Sequence, residues 1–231
     1  MNKPIYKIND LKFVNKNNTI LNIKNFEIHR GTCYMFNGNM ASGKTLLMEI
    51  LTKNLKKYHG DIFYNDKNLK SISRTKYNND LSVVSQNFKM PYFKTVKEYL
   101  ISEISKKHND TTLDKKLNNI ITVMDIKYLL DKKVRSLSPS QSRWVQLAAK
   151  IASYPKILFI DEIEQHLSKK NIDSLSKILY RKCNYDGVTL IATTQNPEMF
   201  SNLISVNITL NQGRITKVRS FAHKTKKRRK N

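Results

Sequence analysis

The chain opens on two stretches where apolar and polar positions alternate. "IYKINDLKFV" (5–14) and "TILNIKNFEIH" (19–29) are separated by the polar "NKNN". That periodicity predicts two half-buried strands. The apolar "CYMF" then leads into a glycine-bearing loop, and "LLMEIL" follows it, which predicts strand, loop and helix. "YHGDIFYND" predicts a strand after a turn, and "DLSVVSQNF" a short buried strand ending in a polar step. From Asn87 to about Arg135 the period lengthens. "TVKEYLISEISKKH" and "TTLDKKLNNIITVMDIKYLL" carry apolar residues at helical spacing and contain neither Gly nor Pro, so this stretch reads as a helical insertion. "SRWVQLAAKIAS" predicts another helix. The unbroken apolar run of "KILFIDE" suits a parallel strand covered on both faces. "DSLSKILYRKC" predicts a helix, "GVTLIATTQ" a second buried strand, and "LISVNITLNQGRITKV" two strands around a turn at Gly213.

This order predicts an α/β domain with a mainly parallel core sheet. An antiparallel β portion precedes it, and an α-helical subdomain is inserted at about residues 87–145. The domain is expected to span residues 1–218. The remainder, 219–231, ends in "KTKKRRKN", too charged to pack, and reads as a disordered basic tail.

Charge widens the choice of partners. The 231 residues include 42 Lys+Arg against 18 Asp+Glu, a formal net charge of +24. Part of the excess is local: residues 214–231 hold nine basic residues and no acidic one. The rest is still basic, so anionic partners are admitted: nucleotide, nucleic acid or an acidic lipid surface. Cys33 and Cys183 lie in no metal-ligand spacing, and the five histidines form none either. Two reduced thiols in a cytosolic protein are expected. "MNKPIYKIND" has no apolar signal region, and no apolar run approaches the ~18 residues of a membrane span. A membrane role would therefore act through a partner or a surface contact.

The loop brings the first chemistry. "GNMASGKT", Gly38, Asn39, Met40, Ala41, Ser42, Gly43, Lys44 and Thr45, fits G-x-x-x-x-G-K-[ST]. Gly38 and Gly43 permit backbone angles that let successive N–H groups wrap a phosphate. Lys44 can reach the β- and γ-phosphates, and the Thr45 hydroxyl can ligate Mg²⁺. The helix that starts here points its positive end at the anion. Such a site needs a second Mg²⁺ carboxylate at the end of an apolar strand, and "ILFIDE" offers it. Asp161 is the candidate metal holder, and Glu162 the candidate general base for the attacking water.

"SLSPSQSRW" reads locally as a helix start. Ser138 is a good N-cap, Gln141 completes a capping box, and Pro139 sits at the first helical position. Taken together, "GNMASGKT", "VVSQNF", "RSLSPSQSRWVQLAAKIASYPKILFIDE" and "IATTQNP" resemble the nucleotide-binding subunit of an ABC ATPase, a P-loop NTPase. In order they resemble its Walker A loop, its Q-loop, its LSGGQ signature with the Walker B strand, and its switch region. The resemblance covers roughly residues 5–218.

That resemblance implies further roles. Gln86 would contact Mg²⁺ or the attacking water and couple the helical subdomain to the site. Leu137, Ser138, Pro139, Ser140 and Gln141 would bind the γ-phosphate of ATP held by an opposite chain. A complete site would need two chains head to tail, in a homo- or heterodimer with two ATP at the interface. An integral membrane permease subunit would be the further partner, so the chain would sit in the cytoplasm against the inner face of a membrane. Tyr92 and Phe93 lie in the region that faces such a partner, or pack within the helical subdomain.

Several positions depart from the family pattern. Pro139 and Ser140 replace two glycines. Thr194 stands at the switch histidine, with Gln195 next to it. Ile163 replaces a proline and Ser168 an aspartate. Tyr6 and Phe13 are the aromatic candidates for the adenine, each equally suited to the core. These departures imply a slow but real ATPase, or pairing with a different ABC subunit. Other readings are a non-transport ABC ATPase acting on nucleic acid, the ribosome or the division machinery, and a low-turnover nucleotide sensor. The basic tail offers an anionic lipid or RNA contact.

Overall fold

The computed structural model describes residues 3–16, 18–86, 90–107 and 112–221. The first residues of the expected helical insertion, at 87–89, and the tail from 222 onward lie outside the described residues.

The alternating N-terminal stretches form β1 (Pro4–Asn15) and β2 (Asn18–His29). With β4 (His59–Tyr64) and β5 (Lys67–Asn68) they build an antiparallel sheet in the order β2-β1-β4-β5. The second sheet holds β3 (Cys33–Asn37), β6 (Leu81–Val84), β7 (Ile157–Ile160), β8 (Thr189–Thr193), β9 (Val206–Asn211) and β10 (Arg214–Ser220), in the order β10-β9-β3-β8-β7-β6. Its strands are parallel except for the β9–β10 hairpin. β10 runs through Arg219 to Ser220, past the 218 boundary expected for the domain.

The helices are α1 (Lys44–Leu51), α2 (Arg74–Asp80), α3 (Val96–Ser105), α4 (Leu113–Val123), α5 (Pro139–Ala152) and α6 (Lys169–Tyr185). α3 starts on a capping box between Thr95 and Glu98. α5 crosses residue 145 without a break, so the helical layer and the core sheet share one helix.

The strand period of two divides the core between the faces of the parallel sheet. Met35, Leu158, Ile160, Leu190 and Ala192 face a cluster built with α3, α4, α5 and α6. Tyr34, Phe36, Ile157, Phe159 and Ile191 face a second cluster built with the antiparallel sheet, α1 and Tyr77 of α2. Both faces are covered, which is why β7 is apolar throughout and β8 at its three central positions. Trp144 is buried in the first of these clusters and donates its indole N–H to the Met124 carbonyl at 2.9 Å. Tyr6 is fully buried, its hydroxyl bonded to that of Tyr77. That removes it from the adenine candidates, because no ligand can stack on a ring closed inside the core. Phe13 is partly buried against the same cluster.

Candidate nucleotide site

β3 ends at Asn37 between β8 and β9, in the middle of the parallel sheet, and the loop of residues 38–43 turns there into α1. Gly38 has φ +143°, and a Cβ at that residue would lie 2.1 Å from the Leu210 carbonyl oxygen. Only glycine fits so close to the neighbouring strand. Gly43 caps α1 at φ +99°. Ala41 also takes a left-handed φ of +59°, which costs a Cβ-bearing residue about 1–2 kcal/mol. Ala41→Gly should therefore stabilise the fold by roughly 0.5–1 kcal/mol, once the extra freedom of an unfolded glycine is subtracted. Denaturant unfolding measures it, and an unchanged or lower midpoint contradicts it.

The Lys44 ammonium lies over the loop. It donates to the carbonyls of Gly38 and Asn39 at 2.7 and 2.9 Å and to the Ser42 hydroxyl at 3.1 Å. Burial lowers its pKa, and the carboxylates of Asp161, Glu162 and Glu164 oppose that shift. The first-turn N–H groups of α1 have no partner within the helix. With the Lys44 charge they make the loop an electropositive cradle.

The acidic strand end meets this cradle. Asp161 is buried and accepts from the Thr193 hydroxyl at 2.6 Å, and the Thr45 hydroxyl lies 3.4 Å from the same oxygen. Thr45, Gln86 and Asp161 line one cleft of about 250 Å³ with Glu49 and Ser85. A larger cleft, about 610 Å³, between α6 and residues 199–202 holds none of the predicted site residues.

Glu162 adopts φ +46°, a strained backbone position of the kind found at functional sites. The turn aims its carboxylate between two amides. Gln86 Nε2 donates to one oxygen at 3.0 Å, and Gln195 Nε2 lies 3.4 Å from the other. Thr194 does not take the switch position expected of it. It is fully buried, and its hydroxyl donates to Glu164 Oε1 at 2.9 Å. The chain leaves β8 at Thr193, so the next exposed side chain is that of Gln195. Gln195, not Thr194, faces Glu162.

Ser138 and Gln141 form the capping box of α5: Gln141 N–H donates to Ser138 Oγ at 3.2 Å, and Ser138 N–H to Gln141 Oε1 at 3.1 Å. Pro139 opens the helix, and Ser138 and Pro139 are exposed. Leu137 and Ser140 are half-buried beside them.

The ABC transporter family model matches residues 21–165, more than half of the chain. The chain belongs to the ABC transporter family. A molybdate/tungstate import ATP-binding protein, WtpC of Methanocaldococcus jannaschii, is 29% identical over 177 residues, covering 74% of this chain and 58% of the relative. An energy-coupling factor transporter ATP-binding protein, EcfA of Malacoplasma penetrans, is 25% identical over 187 residues, covering 80% and 65%. A putative ABC transporter ATP-binding protein of Clostridium tetani is 29% identical, covering 69% of this chain and 36% of the relative. The chain thus spans less than two thirds of the length of these relatives. Among solved structures, cbiO1 of Clostridium perfringens, described as part of the ABC transporter complex cbiONQ, superposes with a TM-score of 0.79 at 21% identity. That match covers 94% of this chain and 88% of that one. The dimeric ABC transporter cassette MJ0796 gives 0.84 at 18%, covering 94% and 99%. At such identities these structures show the fold.

Three residues of this candidate site are not among those the sequence points to. Thr193 accepts from the Glu162 N–H at 2.7 Å and donates to Asp161, so one hydroxyl pins both acidic residues. Arg143 on α5 is buried and donates to the carbonyls of Ser85 at 3.1 Å, Asp161 at 2.5 Å and Glu162 at 3.0 Å. Glu164 receives Thr194 and the Gln195 backbone. A cation inside the apolar face of "SRWVQLAAKIA" and the spacing of two acids in "DEIE" were the available signals.

Proposed function

We propose that this chain binds and hydrolyses ATP with Mg²⁺ as the ATP-binding subunit of an ABC transporter-type complex. The convergence of Thr45, Asp161, Glu162 and Gln86 at the mouth of the phosphate loop carries the reading. Thr45 and Asp161 offer the hard oxygen donors that suit Mg²⁺. When bound, the ion would neutralise charge developing on the β- and γ-phosphate oxygens. Lys44 and the α1 N-terminus hold the phosphates. Glu162 takes the proton from water as its oxygen bonds to the γ-phosphorus and the bond to the ADP oxygen breaks. Gln195 stands where the resemblance expected Thr194, and no titratable imidazole is present there.

Ser138 with its neighbours from Leu137 to Gln141 is an exposed helix start, the form needed to cap a second chain's γ-phosphate. The reading therefore includes a head-to-tail dimer and an integral membrane permease partner at the cytoplasmic face. Tyr92 and Phe93, 59% and 77% exposed, pack edge to face on each other and suit such a partner. No helix among the described residues is long and apolar enough to cross a membrane. The names of the relatives favour transport over action on nucleic acid. An anionic lipid contact through the basic tail belongs to the same reading.

Lys44→Ala should weaken Mg·ATP binding about 30- to 100-fold, because charge-assisted contacts contribute about 1.5–3 kcal/mol each. Equilibrium binding with a fluorescent ATP analogue measures it, and equal affinity would refute nucleotide binding at this loop. Co-purification of a polytopic membrane protein supports the transport partner; co-purification of RNA or ribosomes supports the nucleic-acid alternative.

A further inference from the structure

Glu164 lies two residues past the general base and has no place in the mechanism above. Ile163, between the two acids, is fully buried and donates its N–H to the Thr193 carbonyl at 3.0 Å. This bond fixes the turn to the end of β8. Glu162 and Glu164 then stand on either side of the buried Ile163. One oxygen of Glu164 accepts twice, from the Thr194 hydroxyl at 2.9 Å and from the Gln195 backbone N–H at 2.7 Å. The Thr194 hydroxyl in turn accepts from the Asn196 N–H at 3.0 Å. The other Glu164 oxygen is buried without a partner. Leaving a buried carboxylate oxygen unbonded is costly.

We infer that Glu164 is the positioning residue of the switch: it holds the Thr194–Gln195 backbone so that the Gln195 amide, not the Thr194 hydroxyl, meets Glu162. The chain of contacts is continuous. Glu164 accepts from Gln195 N–H, the Gln195 side chain reaches Glu162 Oε1, and Gln86 holds Glu162 Oε2. Glu162 is thereby oriented by one amide from each side, where an imidazole would otherwise stand on one. Without the Glu164 acceptor, the Thr194 O–H and the Gln195 N–H both lose the oxygen they donate to, while the Thr194 oxygen keeps the Asn196 N–H. The Thr194 N–H still donates to the Phe36 carbonyl at 3.0 Å, but the Gln195 backbone loses its own anchor, and Glu162 is held less firmly on that side.

This inference rests on the ATPase reading, so two measurements separate them. Amide hydrogen exchange needs no nucleotide. The Gln195 N–H should be protected in the wild type and in Glu164→Gln, whose carbonyl oxygen can still accept, and should exchange at least ten times faster in Glu164→Ala. Steady-state kinetics supplies the second measurement. Glu164→Ala should lower kcat about 10-fold with KM for ATP unchanged within twofold, as expected for a small misplacement of a catalytic group. Glu164→Gln should stay within threefold of wild type. The double variant Glu164→Ala/Gln195→Ala should match Gln195→Ala alone, because the first residue acts through the second. Losses that multiply in the double variant, or unaltered Gln195 exchange in Glu164→Ala, overturn the inference. Absent wild-type turnover refutes the ATPase reading instead, and the exchange measurement then still decides whether Glu164 holds Gln195.

Discussion

Glu162→Gln should abolish turnover while leaving Mg·ATP bound. The substitution is nearly isosteric and removes the carboxylate's charge and, with it, the ability to accept a proton. General-base catalysis contributes about 10²–10⁴-fold, so kcat should fall by at least ~100-fold with affinity for ATP changed less than threefold. The local geometry tolerates the change. Glu162 offers an acceptor to Gln86 at 3.0 Å and to Gln195 at 3.4 Å. A glutamine offers one acceptor and one donor. The exposed Gln195 amide can rotate to present its oxygen, while the shorter Gln86 bond is kept. Bound but uncleaved ATP should also hold two chains together, so the variant should run as a larger species in sizing experiments with Mg·ATP and as a monomer without it. Wild-type turnover in Glu162→Gln would remove Glu162 from the general-base role. Lost ATP binding would make its role one of binding.

The parts of the site that were legible in the sequence are those set by local chemistry. The phosphate loop needs glycines at Gly38 and Gly43 and an amine at Lys44, and all three lie within seven residues of chain. Asp161 and Glu162 announce themselves because an apolar strand buried on both faces must end in residues that meet solvent or a ligand. The Ser138–Gln141 box is a four-residue pattern, and it forms as such. The switch could not be read in the same way. Thr194 and Gln195 are adjacent hydrogen-bonding residues, and which of them faces Glu162 depends on where β8 releases the chain and on an acceptor thirty residues earlier, Glu164. Tyr6 shows the same limit: its strand periodicity fits either a stacking platform or the core, and only the packing of Tyr77 and Tyr64 against it decides. α2 escaped the periodicity reading because it has a single buried residue, Tyr77, in an otherwise polar turn capped by Ser73.

Arg143→Met should cost both stability and catalysis, and the two losses share a cause. Arg143 is 3% exposed, and its guanidinium donates to three carbonyls: Ser85, the residue before Gln86, and Asp161 and Glu162. Burial pushes its pKa down to about 10, against the pull of the nearby acids. It therefore stays charged at neutral pH. Met keeps the apolar bulk of the stem, so the change isolates the donors. The Ser85 and Asp161 carbonyls then lose this donor and the Glu162 carbonyl keeps only the Gln165 N–H at 2.9 Å; an acceptor left unpaired costs about 1–3 kcal/mol, partly offset by no longer burying a cation. The net destabilisation should be about 2–4 kcal/mol by denaturant unfolding. Gln86 and Glu162 sit on different segments, the β6 exit and the β7 exit, and Arg143 on α5 is the side chain that bonds to both. Without it their relative placement relaxes, and kcat should fall about 100-fold even where the protein remains folded. Arg143→Lys separates charge from geometry. An ammonium carries the charge but cannot span three acceptors as the planar guanidinium does, so Lys should recover less than half of the stability and little of the turnover. If Arg143→Met unfolds at the wild-type midpoint and turns over within threefold of wild type, the three bonds do not set the site. If Lys restores both, the charge alone suffices.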